Sequence, residues 1–261
     1  MRSLDIAATG MLAQQLNVEV ISNNIANLNT TGFKRQRAEF QDLLYQTDRQ
    51  GGAQSADNGN IVPVGVQVGI GVKAAAVYRI TEQGNLLNTS NSLDVAIQGK
   101  GYFQVLMPDG TTAYTRAGSF QLSPTGEIVT ADGYVVQPGI TLPNNTTAVT
   151  VNANGQVFAQ IAGQTTPQNV GQLELANFPN EAGLSAQGGN LFTETAASGN
   201  ATTGNPGTTS FGQIQQGFLE TSNVNIVNEI TNLITAQRAY EMNSKVVSTT
   251  DSMLATLSQL Q

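Results

Sequence analysis

The side chains that could do acid–base chemistry in the middle of this chain are four carboxylates, Asp94, Asp109, Glu127 and Asp132. A glycosidase would need two of them at a set separation across a cleft. Three of the four sit in or beside turn sequences such as Pro108-Asp109-Gly110 and Asp132-Gly133, where Asp and Gly supply the turn dihedrals, so turn formation is the simpler role. The rest of the catalytic repertoire is thin. The chain has no Cys and no His, which removes Ser-His and Cys-His hydrolysis, thiol redox chemistry and most zinc sites. No Gly-rich phosphate loop precedes a helix, and there is no nucleophile elbow. No catalytic, metal-binding or cofactor-binding residue is assigned, and the chain reads as a non-enzyme.

The same bias runs through the composition. Charged residues make up 11% of the 261 residues, about half the usual share. Asn, Gln, Ser and Thr take their place, at roughly a third of the chain. Burying amides and hydroxyls costs less than burying ions, so such a surface suits close packing against copies of itself. A formal charge of −7 argues against nucleic-acid binding; the one basic cluster, Lys34, Arg35 and Arg37, reads as a solvated loop. The N-terminal MRSLDIAATGMLAQQL does not have the layout of a secretory signal, and no window has the apolar length of a membrane span.

Carboxylates in turns need a scaffold, and the pattern places it in the middle of the chain. From about residue 60 to 215, short runs rich in Val, Ile, Tyr, Phe and Thr alternate with turn dipeptides. LDVAIQ (93–98), GYFQVLM (101–107), TAYTR (112–116) and GEIVT (126–130) are examples. Asp132-Gly133 and Asn154-Gly155 mark hairpins. An antiparallel sheet, sandwich or small barrel is expected. Residues 46–62 and 195–210 are small and polar and read as loops or connectors.

The ends differ. Leu4, Met11, Val18 and Ile25 are spaced by seven, as are Ile6, Ala13 and Val20. At the other end Ile226, Leu233, Tyr240, Val247 and Leu254 repeat likewise, with Ala239, Val246, Met253 and Leu260 as a second row. Seven-residue rows are a coiled-coil signature, although companion positions such as Gln237, Ser244 and Asp251 are polar. A first helix apolar on most sides needs more than one neighbour. The expected fold class is α+β, with paired N- and C-terminal coiled-coil-like helices and an inserted, mainly antiparallel β domain. The expected division is a core helix over 1–32, an extended connector over 33–75, a β-rich outer domain over 76–215 and a second core helix over 216–261. Contacts made by such ends need not close, and repeated heterologous contacts give open helical filaments.

Between the first helix and the connector stands ISNNIANLNTTGFKRQR (21–37). Asn is a poor interior helix residue because its amide competes for backbone groups. Asn17, Asn24 and Asn27 share one side, where amides can bond across to neighbours and fix register. Asn27 and Asn29 then help to end the helix, Gly32 suits a left-handed stop, and Phe33 anchors the exit.

Three stretches, in order, resemble one family. ANLNTTGFKRQR (26–37), with Ala26, Asn27, Thr30, Gly32, Phe33 and Lys34, resembles the signature of the axial rod and hook proteins of the bacterial flagellum. SLDVAIQGKGYFQVLMPDGTTAYTRAGSF (92–120) resembles that family's shared β segment, with Ala117 where an Asp is common. Residues 220–260 resemble its terminal helix. DLLYQTDRQGGAQS (42–55) resembles a segment of distal rod subunits, with Gly51-Gly52 where Pro-Gly is expected.

The resemblance implies a subunit exported by the flagellar type III apparatus without a cleaved signal. It would polymerise into a rigid hollow shaft across the periplasm that transmits torque from motor to hook. Implied partners are further copies of itself, proximal rod subunits, hook subunits or the hook–rod junction, and the P and L rings as a bushing, with neither nucleic acid nor membrane insertion. The resemblance makes Gln46, Arg49, Gly51, Gly52 and Gln54 a candidate rod-straightening segment. Two alternatives stay open at this point: a proximal rod subunit of similar length, and a secreted β-rich binding module or carbohydrate-active enzyme with a coiled-coil oligomerisation handle.

Overall fold

The computed structural model describes residues 2–51 and 64–259, and the fold is α+β. The chain divides into two compact units whose segments interleave: unit 1 comprises residues 1–25, 36–78 and 225–261, and unit 2 comprises 26–35 and 79–224.

Unit 1 contains two helices, α1 (Arg2–Ala26) and α2 (Ile226–Gln259). The second starts where the Asn225 carboxamide oxygen accepts the N–H groups of Val227 and Asn228, at 3.1 and 3.2 Å, a side-chain cap on otherwise orphaned donors. Between the helices in sequence lies a long two-stranded ribbon. Gln36–Asp42 pairs with Val72–Arg79, and Tyr45–Arg49 pairs antiparallel with Val66–Gly69. Backbone bonds from Leu43 to Gly71 and from Ile70 to Leu44 carry the ladder across the join. Residues 46–49, read from sequence as loop, are therefore strand. Their polar side chains are all exposed, and such a ribbon needs only backbone pairing, which composition does not reveal.

The ribbon is fastened along α1 at three points. The Asn24 carboxamide both donates to Gln36 O and accepts from Gln36 N, each at 2.8 Å. Thr9 Oγ1 accepts the Val72 N–H at 3.4 Å. Arg2 grips the Asp48 carboxylate with two bonds of 2.7 and 2.9 Å. That exposed ion pair is worth little by itself; its significance is positional.

Unit 2 is β structure. Among the described residues its largest sheet has nine strands, all pairings antiparallel, with Tyr102–Leu106 at its centre. That strand pairs with Thr112–Thr115 on one edge, and on the other with Leu175–Asn177 and Val135–Val136. A three-stranded sheet (Thr146–Val151, Gln156–Ile161, Gln168–Gln172) and the pairs Gln213–Gln216 with Val95–Gln98 and Phe218–Glu220 with Leu86–Asn88 complete it.

Successive side chains of a strand point to opposite faces, and both faces of Tyr102–Leu106 are covered. Phe103 enters a core with Val95, Ile97, Phe120, Val157 and Leu175. Tyr102 enters an aromatic cluster with Tyr114, Phe178 and Phe192. The rings meet edge to face, with centroids 5.1 Å apart for Phe103–Phe120 and 4.8 Å for Tyr114–Phe178. Burying one such aromatic contributes roughly 2–3 kcal/mol.

The turns are built as their sequences suggest. Gly110, Gly133 and Gly155 have φ of 81°, 85° and 81°. The Thr111 hydroxyl and N–H bond the Asp109 carboxylate at 2.7 and 3.0 Å and hold its pKa below the ordinary value. Asp94 accepts from Asn91, and Glu127 from Thr125. These carboxylates serve turns and local bonding, and no cluster among the described residues could hold a metal ion.

Candidate functional site

The candidate site is architectural: the faces of α1 and α2, the junction after α1, and the ribbon. Two contacts join α1 to α2. The Asn24 amide donates to Glu229 Oε2 at 3.2 Å, both residues being buried. Gly10 lies where any Cβ would meet the Asn243 carboxamide, 2.8 Å from its nitrogen. Gly10 and Asn24 are two heptads apart, and so are Glu229 and Asn243, so both contacts share one antiparallel register.

That seam differs from the apolar rows. On α2 Glu229 and Ala236 are buried, and Leu233, Ala239, Asn243, Val247, Thr250 and Leu254 are half-buried. Leu233, Val247 and Leu254 of the expected row are half-buried, but Ile226 and Tyr240 are each 43% exposed. The companion row is Glu229, Ala236, Asn243 and Thr250; Gln237, Ser244 and Asp251, one position later, are exposed. At 3.6 residues per turn, one step in sequence is a turn of about 100°, so the polar positions named from sequence sit off the seam.

On α1, Leu4, Met11, Val18 and Ile25 are half-buried, and the buried residues are Ala7, Ala13, Val20, Ile21 and Asn24. The two contacts between the helices are made by small and polar side chains, which apolar counting overlooks. A groove of about 520 Å³, lined by Gln15, Val18, Glu19, Gln237, Tyr240 and Glu241, opens beside them. Along α2, Val227, Ile230, Ile234, Val246 and Met253 also stand exposed.

After Ala26 the chain turns. The Thr30 N–H and hydroxyl reach Asn27 O and Oδ1, at 3.2 and 3.1 Å, and Phe33 N bonds Thr30 O. Gly32, at φ 70°, donates its N–H to Glu220 O at 2.8 Å. A Cβ there would stand 2.8 and 2.9 Å from the backbone of Ala117 and Arg116, so position and dihedral both demand glycine. Asn24, expected to bond across to neighbours, bonds within its own chain, to Gln36 and Glu229.

Lys34 corrects the sequence reading. It is 4% exposed rather than solvated. Its ammonium lies 2.6 Å from Glu220 Oε1 and 2.7 Å from Glu82 O. Burial pulls its pKa down, and the Glu220 charge opposes this. Arg116 reaches the other oxygen of Glu220 at 3.0 Å. In the aromatic cluster, burial pushes the Tyr102 phenol well above its ordinary pKa, helped by Glu181, to which its hydroxyl donates at 3.1 Å.

In the ribbon, Gln46 stands opposite Val68 and Arg49 opposite Val66, both exposed, and Gly51 faces Gly65. Gly52 and Gln54 lie outside the described residues. Exposed Leu44, Tyr45, Val64, Val66, Val68 and Ile70, which flank the segment 46–62, give this arm an apolar character.

Three family models match the chain: a flagella basal body rod protein model over residues 4–34, a flagellar hook protein FlgE/F/G D1 domain over 96–159, and a flagellar basal body rod FlgEFG protein C-terminal model over 215–260. Among curated relatives, the flagellar basal-body rod protein FlgG of Caulobacter vibrioides is 64% identical over 261 residues, covering 100% of both chains. Its namesakes from Agrobacterium fabrum and Bacillus subtilis are 54% and 39% identical. They cover 99% of each chain in the first case, and 100% of this chain and 99% of the relative in the second.

Proposed function

The chain belongs to the flagellar basal-body rod protein family, and from that premise we propose how it builds a shaft. It is a structural subunit of the flagellar basal-body rod, not an enzyme. In the proposal it is the repeating unit of the distal part, a rigid hollow helical tube across the periplasm that carries torque to the hook and lets exported subunits pass. Further copies, proximal rod subunits and hook subunits adjoin it, the P and L rings surround it as a bushing, and the type III apparatus exports it without a cleaved signal.

The observation that carries the assembly reading is the apolar flank of α2. Ile226, Ile230 and Ile234, with Val227 beside them, are exposed at helical spacing. Tyr240 continues that exposure beside the groove. Neighbouring copies would cover them in a coiled-coil-like inner layer, to which Leu4, Met11, Val18, Ile25, Leu233, Val247 and Leu254 contribute from their half-buried positions. Replacing Ile230 and Ile234 together by Asp is expected to leave the far-ultraviolet spectrum of the monomer unchanged and to abolish polymers in negative-stain images. Normal polymers from that variant would overturn the reading.

The segment 46–62 is the proposed straightening element. Deleting residues 46–62 is expected to leave unit 2 folded and give bent or flexible polymers, and straight rods from the deleted protein would refute that role.

A further inference from the structure

The cluster around Glu220 is not explained by polymerisation, since all its members lie within unit 2. Glu220 is 1% exposed, Lys34 4% and Arg116 5%. One carboxylate thus serves two buried cations and also receives the Gly84 N–H at 2.9 Å. The leftover donors are satisfied by carbonyls: Lys34 bonds Glu82 O, and Arg116 bonds Gly99 O and Gly101 O, at 2.9 and 2.6 Å. These dipoles accommodate the excess positive charge, which is otherwise costly to bury.

The stretches involved are those by which the chain leaves and re-enters unit 2. Residues 32–35 precede the departure to the ribbon, 79–84 follow the return, and 220–224 precede the departure to α2. Further bonds tie the same three stretches. Gly32 N donates to Glu220 O and Ile80 N to Arg35 O, both at 2.8 Å. The Asn223 side chain accepts from Arg35 N at 2.7 Å and donates to Ile80 O at 2.9 Å. Every one of these links joins two different stretches.

We propose that Lys34, Arg116 and Glu220 form a charge-locked clasp that gathers the three exits of unit 2 and holds them in place whether or not the terminal helices are folded. Lys34 and Arg116 act as positioning residues on Glu220, and the fixed exits are the output.

Amide hydrogen exchange on the full chain, as monomer, tests this. In Glu220→Gln the amides of Gly32, Ile80, Gly84 and Thr221 are expected to exchange faster together, on the order of a hundredfold, while those of Tyr102–Leu106 keep their protection. Unchanged protection at the four amides overturns the proposal, and so does a loss that appears only in step with Tyr102–Leu106. Lys34→Met leaves one cation on the carboxylate; a smaller loss at Gly32 and Gly84 is expected, and it carries the test if Glu220→Gln does not fold. The double variant Lys34→Met/Glu220→Gln is expected to be no worse than Glu220→Gln alone. Additive losses would mean independent residues and would overturn the clasp.

Discussion

Single residues carry much of the junction. Gly32→Ala puts a methyl into the Arg116–Ala117 backbone at a left-handed dihedral, so a loss of about 2 kcal/mol or more is expected in urea unfolding of the full chain. Tyr102 gives a pH signature. Its folded pKa is raised above the unfolded value of about 10, because burial disfavours the phenolate and Glu181 adds to this. Above that unfolded value the unfolded chain sheds the proton that the folded chain retains, so this contribution is intact below about pH 10 and is lost as pH rises through the folded pKa. Tyr102→Phe should therefore weaken the fall in stability between neutral and strongly alkaline pH, read as urea midpoints; an identical fall in both proteins would contradict this. The glycine stop was legible because Gly after an Asn-rich helix end has few other uses. The burial of Lys34 was not, since it stands beside Arg35 and Arg37 while its partner lies 186 positions away. Arg116, directly after Thr112–Thr115, and Glu220, at the end of Phe218–Glu220, were the available signal.

At the scale of elements, the strands were legible and the helix seam was not. Alternation and turn dipeptides locate strands because both are local. The contacts that join α1 and α2 are made by Gly10, Asn24, Glu229 and Asn243, residues that no count of apolar positions selects. Asn24 both pairs with Gln36 like a strand neighbour and bonds Glu229. Asn24→Leu therefore strands the Gln36 backbone groups and removes one hydrogen bond to Glu229, and a larger loss than for an ordinary surface Asn is expected, roughly 2–3 kcal/mol. It should appear as faster hydrogen exchange along Gln36–Asp42, and unchanged exchange there would exclude the role. Residues 46–49 were misread because a polar exposed strand shares the composition of a loop.

At the scale of the molecule, the two units differ in how they are held. Unit 2 has packed cores on both faces of its central strand. In unit 1, the described part of α2 buries only Glu229 and Ala236, and a helix with so little packing rests on marginal intrinsic stability. Limited proteolysis of the dilute monomer is expected to remove residues beyond about 225 first and spare 79–224; a monomer resistant at its C-terminal end would count against this. The link between Lys34 and Glu220 also sets an order in time. A chain that emerges N-terminus first, from a ribosome or a pore, presents Lys34 long before its carboxylate exists to receive it. The β body cannot close until Glu220 has arrived, so its completion marks the delivery of everything that precedes α2.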